Sequence, residues 1–149
     1  MKKSIYFIIM AFVIMLSACG SDSASTTDDG ILVIEERFFI FRMWDILANP
    51  EEYLGRTIQY EGVFQTFDWP GMGHFYHVFR YTDDCCGEGG MLGLDVRLDT
   101  LGVEAFEDGA WVKVTGVLET FEAQGNLFLR LEATSIVEME ERGAEFVTN

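Results

Sequence analysis

A small all-β domain, a five-stranded Greek-key barrel of the OB type preceded by an N-terminal strand and helix, is the architecture this chain should adopt. From residue 57 onward, apolar and polar residues roughly alternate in five strand-length runs. A short turn-rich interruption falls between the third and fourth runs, which fits the strand–strand–strand–helix–strand–strand order of an OB barrel. Gly62 and Gly116 lie inside two of the runs, where strongly coiled strands turn corners. A two-sheet sandwich is the competing architecture, but it leaves that interruption unexplained.

The elements follow in order. Ile31-Leu32-Val33-Ile34 reads as an apolar strand, and Phe41 to Ala48 (FRMWDILA) as a short helix. Asn49-Pro50-Glu51-Glu52 breaks that helix and starts a further turn, since Pro suits a first helical position. The first three barrel strands are Thr57 to Phe67, Phe75 to Tyr81 and Met91 to Leu98, the last with Leu92, Leu94, Val96 and Leu98 on one face. Asp68 to His74 reads as the loop between the first two. Asp99 to Phe106 is expected to hold a short helical segment, closed by Asp108-Gly109. Ala110 to Phe121 and Leu127 to Met139 complete the barrel, joined by the hairpin loop Glu122 to Asn126. Trp69, Phe75, Phe79 and Tyr81 are expected in the barrel core.

Composition narrows the function. Of 149 residues 49% are hydrophobic and 14% aromatic, too many to stay solvated as a disordered chain. Ten Lys and Arg stand against 25 Asp and Glu, a formal charge of −15. Such a chain is a poor partner for nucleic acid, whose affinity comes largely from cations that neutralise phosphates.

The N-terminus reads as an address. Lys2-Lys3 precede an apolar run from Ile5 to Leu16, too short to cross a hydrocarbon layer of about 30 Å. Leu16-Ser17-Ala18-Cys19 resembles the lipobox of bacterial lipoproteins. The resemblance implies cleavage after a signal peptide of residues 1–18 and acylation of Cys19, which becomes the new N-terminus. Loss of Lys2 and Lys3 takes the formal charge from −15 to −17. Residues 19–30 then form the lipidated cysteine and a polar, flexible linker to a domain spanning residues 31–149. The expected location is the extracytoplasmic face of a cell membrane, held by lipid. Each buried acyl CH₂ contributes about 0.8 kcal/mol, so two chains make a durable anchor.

One cluster carries candidate chemistry. Cys85-Cys86-Gly87 follows Asp83-Asp84 and precedes Glu88, with His74 and His77 upstream. Two thiolates with a histidine or carboxylates suit a soft ion, zinc or copper, so Cys85, Cys86, His74 and His77 are candidate ligands, with Asp83, Asp84 and Glu88 as additional ones. Alternation along a strand would point His74 and His77 to opposite faces, against a simple four-ligand box. A vicinal disulfide, which would strain the peptide between the two cysteines, and a purely structural turn are the other readings. Lipidation of Cys19 would leave this pair as the only cysteines unaccounted for. No Gly-x-Ser-x-Gly, P-loop, dinucleotide fingerprint or His-Glu-x-x-His is present, so catalysis is not expected.

Several segments together resemble a known group. They are Asp45-Ile46 with Asn49, Tyr53-Leu54-Gly55-Arg56-Thr57-Ile58, Gly62, Arg80-Tyr81 with Cys85-Cys86-Gly87, Trp111 to Gly116, and Arg142 to Val147. The chain is similar to bacterial OB-fold surface lipoproteins and, more distantly, to the C-terminal domain of the DUF1980 permease-subunit family. That resemblance implies a non-catalytic binding or accessory module, with a membrane permease or envelope protein as partner and a link to metal handling. A structural or protein-interaction module without a small ligand is the alternative.

Overall fold

The computed structural model describes residues 27, 29–70, 73–83, 89–103 and 105–148. The expected signal peptide and Cys19, together with Asp84, Cys85, Cys86 and Glu88, lie outside the described residues. The elements are β1 (Leu32–Val33), α1 (Phe39–Ala48), β2 (Thr57–Trp69), β3 (Gly73–Thr82), β4 (Gly90–Arg97), β5 (Trp111–Ala123), β6 (Asn126–Glu138) and β7 (Phe146–Val147). Strands β2, β3 and β4 pair antiparallel in sequence, β5 returns antiparallel to β2, and β6 pairs with β5. A parallel pairing of β4 with β6 closes the barrel. This is the five-stranded OB barrel expected, extended by β1 alongside β2 and by β7 alongside β3. No helix among the described residues is long and apolar enough to cross a membrane.

Two expectations are corrected. Asp99 to Phe106 is not helical among its described residues: it runs through a turn in which Gly102 takes φ +61°, and Phe106 reaches back edge-on to the Phe64 ring at 5.7 Å. A left-handed residue ends a nascent helix at once. The helix that packs into the barrel is α1, ahead of the first barrel strand, and it buries Phe39, Met43 and Ile46. Each such side chain contributes about 1.5–3 kcal/mol on leaving water. The second correction concerns residues 68–74, where strand pairing continues nearly to the tip: Asp68 opposes His74 and Trp69 opposes Gly73. Stacked Phe67 and Phe75 rings, 5.5 Å apart, and the Asp68–His74 contact of 2.7 Å zip this end.

The main core runs through Ile58, Tyr60, Phe64, Val78, Leu94 and Leu131. Tyr60 is fully buried, and its hydroxyl donates to the Val78 carbonyl at 2.8 Å while accepting the Leu94 N–H at 3.2 Å. Gly116 marks an irregularity in the β5–β6 register, the corner that its sequence position suggested.

A second, smaller cluster of Val63, Phe79 and Trp111 sits on the other face of the sheet. Between the two clusters lies Arg80, the only buried charged side chain among the described residues, at 2% exposure. Its guanidinium lies over Phe39 at 4.8 Å and Trp111 at 5.0 Å. It donates to the Glu61 carbonyl (2.8 Å), the Ala144 carbonyl (3.1 Å) and the Glu36 carboxylate (3.2 Å). Glu36 in turn accepts the Ala144 N–H at 2.7 Å. A single side chain thereby fastens the segments before and after the barrel to its wall.

Two carboxylates give this frame an acid limit. The Ala144 N–H, and then Arg80, hold Glu36 below its ordinary value; the Tyr53 hydroxyl, and then the Asn49 amide, do the same for Asp45. Burial, and then the Asp45 bond, push Tyr53 up. Lowered carboxylates contribute stability that is complete above their unfolded values, near pH ~4, and is withdrawn as pH falls through their folded values. Urea midpoints should therefore drop as pH falls below about 5, and drop less in a Glu36→Gln/Asp45→Asn variant. An equal drop in both would remove these two groups as the cause.

Candidate functional site

Alternation on β3 decides where each histidine goes. His74 and His77 fall on opposite faces, as an odd spacing requires. His74 is at the hairpin tip with Nδ1 2.7 Å from Asp68, both side chains well exposed. His77 is mid-strand, opposite its register partner Asp95, with Nδ1 2.7 Å from that carboxylate and both side chains largely covered. The structure does not bring the two together. Asp83 is exposed at the far end of β3. At about 3.3 Å per residue, Thr82 is ~17 Å along the strand from His77 and ~26 Å from His74. Among the described residues no group of three or more His, Cys, Asp or Glu is gathered as a metal site.

Each histidine is nonetheless an oriented group. The carboxylate contact at Nδ1 orients each ring.

His77 forms part of an apolar groove of about 330 Å³, walled by Phe67, Trp69, Phe75, Met91 and Phe128. Trp69 is 58% exposed and Met91 52%. Trp69, the last residue of β2, is therefore no core residue, a correction to the expectation that placed it with Phe75, Phe79 and Tyr81 in the core, while Phe79 is buried in the smaller cluster. A rimmed apolar hollow of this kind suits a protein surface or an apolar ligand.

A second cleft, about 440 Å³, lies where β3 and β4 meet the tip of the β5–β6 hairpin, and it includes Tyr76, Arg97, Phe121 and Arg130. The Gln124 side chain reaches the Pro70 carbonyl at 3.5 Å, drawing the two hairpin tips together. Gln124 and Gly125 take φ +52° and +78°, the left-handed pair of a tight two-residue turn. OB barrels bind oligonucleotides and oligosaccharides on this side. Here both guanidiniums are engaged: Arg130 with Glu119 at 2.7 Å, and Arg97 with Glu132 at 3.2 Å and Asp99 at 3.4 Å. Neither is free to neutralise a phosphate.

Several other resemblance-carrying residues make contacts that hold the fold together. Asp45 accepts from Asn49 and Tyr53, locking the end of α1 to the following turn. Arg142 lies over Trp111 at 5.9 Å, and Tyr81 stacks on Phe146 at 5.0 Å. Sequence reasoning missed Asp95, Arg80 as a clamp, and the groove. Only the aromatic density of residues 64–81 hinted at the last.

A family model described as the DUF1980 C-terminal domain matches residues 18–147. Among solved structures, the dimeric N-terminal domain of PriB protein from Thermoanaerobacter tencongensis is similar at 18% identity and a TM-score of 0.34, over 57% of this chain and 97% of that one. That likeness is too slight to bear on function. No curated protein matches the chain.

Proposed function

The chain belongs to the DUF1980 C-terminal domain family, and we propose that it acts as a non-catalytic accessory module, lipid-anchored outside the cell, which captures a thiophilic metal ion for a membrane permease. The lipobox ending in Cys19 and the polar linker support the anchor. The observation that carries the metal reading is where Cys85 and Cys86 lie along the chain. Thr82 and Gly90 are register partners across β3 and β4. The seven residues between them hold both thiols with Asp83, Asp84 and Glu88.

Two thiolates favour Zn²⁺ or Cu(I), and carboxylates of the same loop would complete the set. His74 and His77 are tied to their own carboxylates at a distance along the strand, so the loop is the primary ligand source. The test is metal content of the detergent-solubilised full chain, purified without chelator. Near-stoichiometric zinc or copper is expected, lost in Cys85→Ser/Cys86→Ser with an unchanged thermal midpoint. A wild-type protein with no metal and two freely titrating thiols would overturn the metal reading.

A second reading, an interaction module without a small ligand, is favoured by the exposed groove around Trp69 and Phe128. It predicts that Trp69→Ala weakens permease association while metal content stays constant.

A further inference from the structure

Helix α1 is apolar on both faces, and the barrel covers only one. At 3.6 residues per turn, buried Phe39, Met43 and Ile46 form one stripe, and Phe41 and Trp44 lie on the opposite side. Phe41 is 67% exposed and Trp44 59%, with Phe38 of the preceding turn beside them at 42%. Phe146 of β7, 63% exposed, continues the patch and shares a shallow hollow with Phe41 and Ile40. A helix apolar all round needs cover on both sides.

The same face carries arginines as well as rings. Arg80, Arg97, Lys113, Arg130 and Arg142 each lie within 4.0 Å of a carboxylate. Arg42 has no ion pair within that distance among the described residues, although its charge acts on Asp45, and it sits over the Phe41 ring at 5.7 Å. Arg37 lies over Phe38 at 4.5 Å, although it also pairs with Glu35. Exposed aromatic rings interleaved with arginines are the chemistry of a helix lying in a lipid interface, rings in the acyl boundary and guanidiniums among anionic headgroups.

We propose that this face of α1 lies on the outer surface of the membrane that holds Cys19. The inference rests on the anchor reading for its geometry. Twelve residues separate Cys19 from Leu32, where β1 begins. As a coil they reach about 20 Å, which keeps α1, the first helix after the linker, within reach of the headgroups. The net charge of −15 opposes adsorption of the domain as a whole. The local arginine–aromatic face reverses that at one place, and so sets which way the barrel points.

The test uses the full chain reconstituted into phosphatidylcholine–phosphatidylglycerol vesicles with brominated acyl chains. Bromine should quench part of the tryptophan emission, and that component should vanish in Trp44→Phe but persist in Trp69→Phe. Emission that bromine leaves unchanged, or quenching that survives Trp44→Phe, overturns the proposal and leaves the face for a protein partner. Intact mass reports acylation of Cys19 separately. An unmodified Cys19 with Trp44 quenched sinks the anchor reading and sustains the docking. An acylated Cys19 with Trp44 unquenched does the reverse.

Discussion

Arg80→Ala should destabilise the domain by about 3–5 kcal/mol, the range for removing one partner of a buried ionic contact. Glu36, the ionic partner, is half exposed and can rehydrate, so the ion pair is the lesser part of the loss. More comes from the Glu61 and Ala144 carbonyls, each left without this donor at about 1–3 kcal/mol. The rest is the void opened between Phe39 and Trp111, which the guanidinium fills. Arg80→Lys should recover only part, because a point charge cannot donate in three directions while lying flat on two rings. Urea unfolding measures the cost, and hydrogen exchange locates it: the Tyr81 N–H, bonded to the Glu145 carbonyl, should lose protection first. A change within ~0.5 kcal/mol would place Arg80 among ordinary surface residues and sink the clamp.

Gly93→Ala should be nearly as damaging, for a steric reason. A Cβ at Gly93 would lie 2.1 Å from the Val78 carbonyl oxygen and 2.6 Å from the Phe79 Cα. These are backbone atoms of the neighbouring strand and cannot rotate away. Gly62 presses on the same place from β2, where an added Cβ would lie 2.6 Å from the Phe79 carbonyl oxygen. Strand β3 is thus gripped at Phe79 from both sides, and widening the β3–β4 gap also strains the bridge that Tyr60 makes to Val78 and Leu94. The cost should exceed the ~1–3 kcal/mol of ordinary overpacking. A thermal midpoint lowered by on the order of 10 °C is the expected reading. A midpoint within ~2 °C of wild type would mean that the strands separate freely there.

The barrel was legible because four of its strands carry alternation that survives in three dimensions. Ile58, Tyr60 and Phe64 on β2, and Leu92, Leu94 and Val96 on β4, face the core as their spacing predicts. Strand β3 was ambiguous, since both of its faces are aromatic or apolar: Tyr76 and Val78 turn inward while Phe75, His77 and Phe79 turn outward. Alternation separates two faces without saying which is wet, and Trp69 was misjudged for that reason. The opposition of His74 and His77 could be foreseen from parity alone. Their carboxylate partners could not, because Asp95 reaches His77 through a register eighteen residues apart in sequence. β7 escaped notice because two residues carry no periodicity, and its place is set by the Tyr81–Phe146 stack.

The Glu36–Ala144 contact spans 108 positions, nearly the whole folded domain. Contacts of such long range close late, after the intervening chain has been ordered. A polypeptide emerging N-terminus first from a ribosome exposes Glu36 and α1 long before residue 144 arrives. The clasp over Arg80 therefore closes only once the C-terminal segment is present: a chain truncated before Arg142 can pair its barrel strands and bury Phe39, Met43 and Ile46, but lacks the Ala144 contacts that tie Glu36 and Arg80 together.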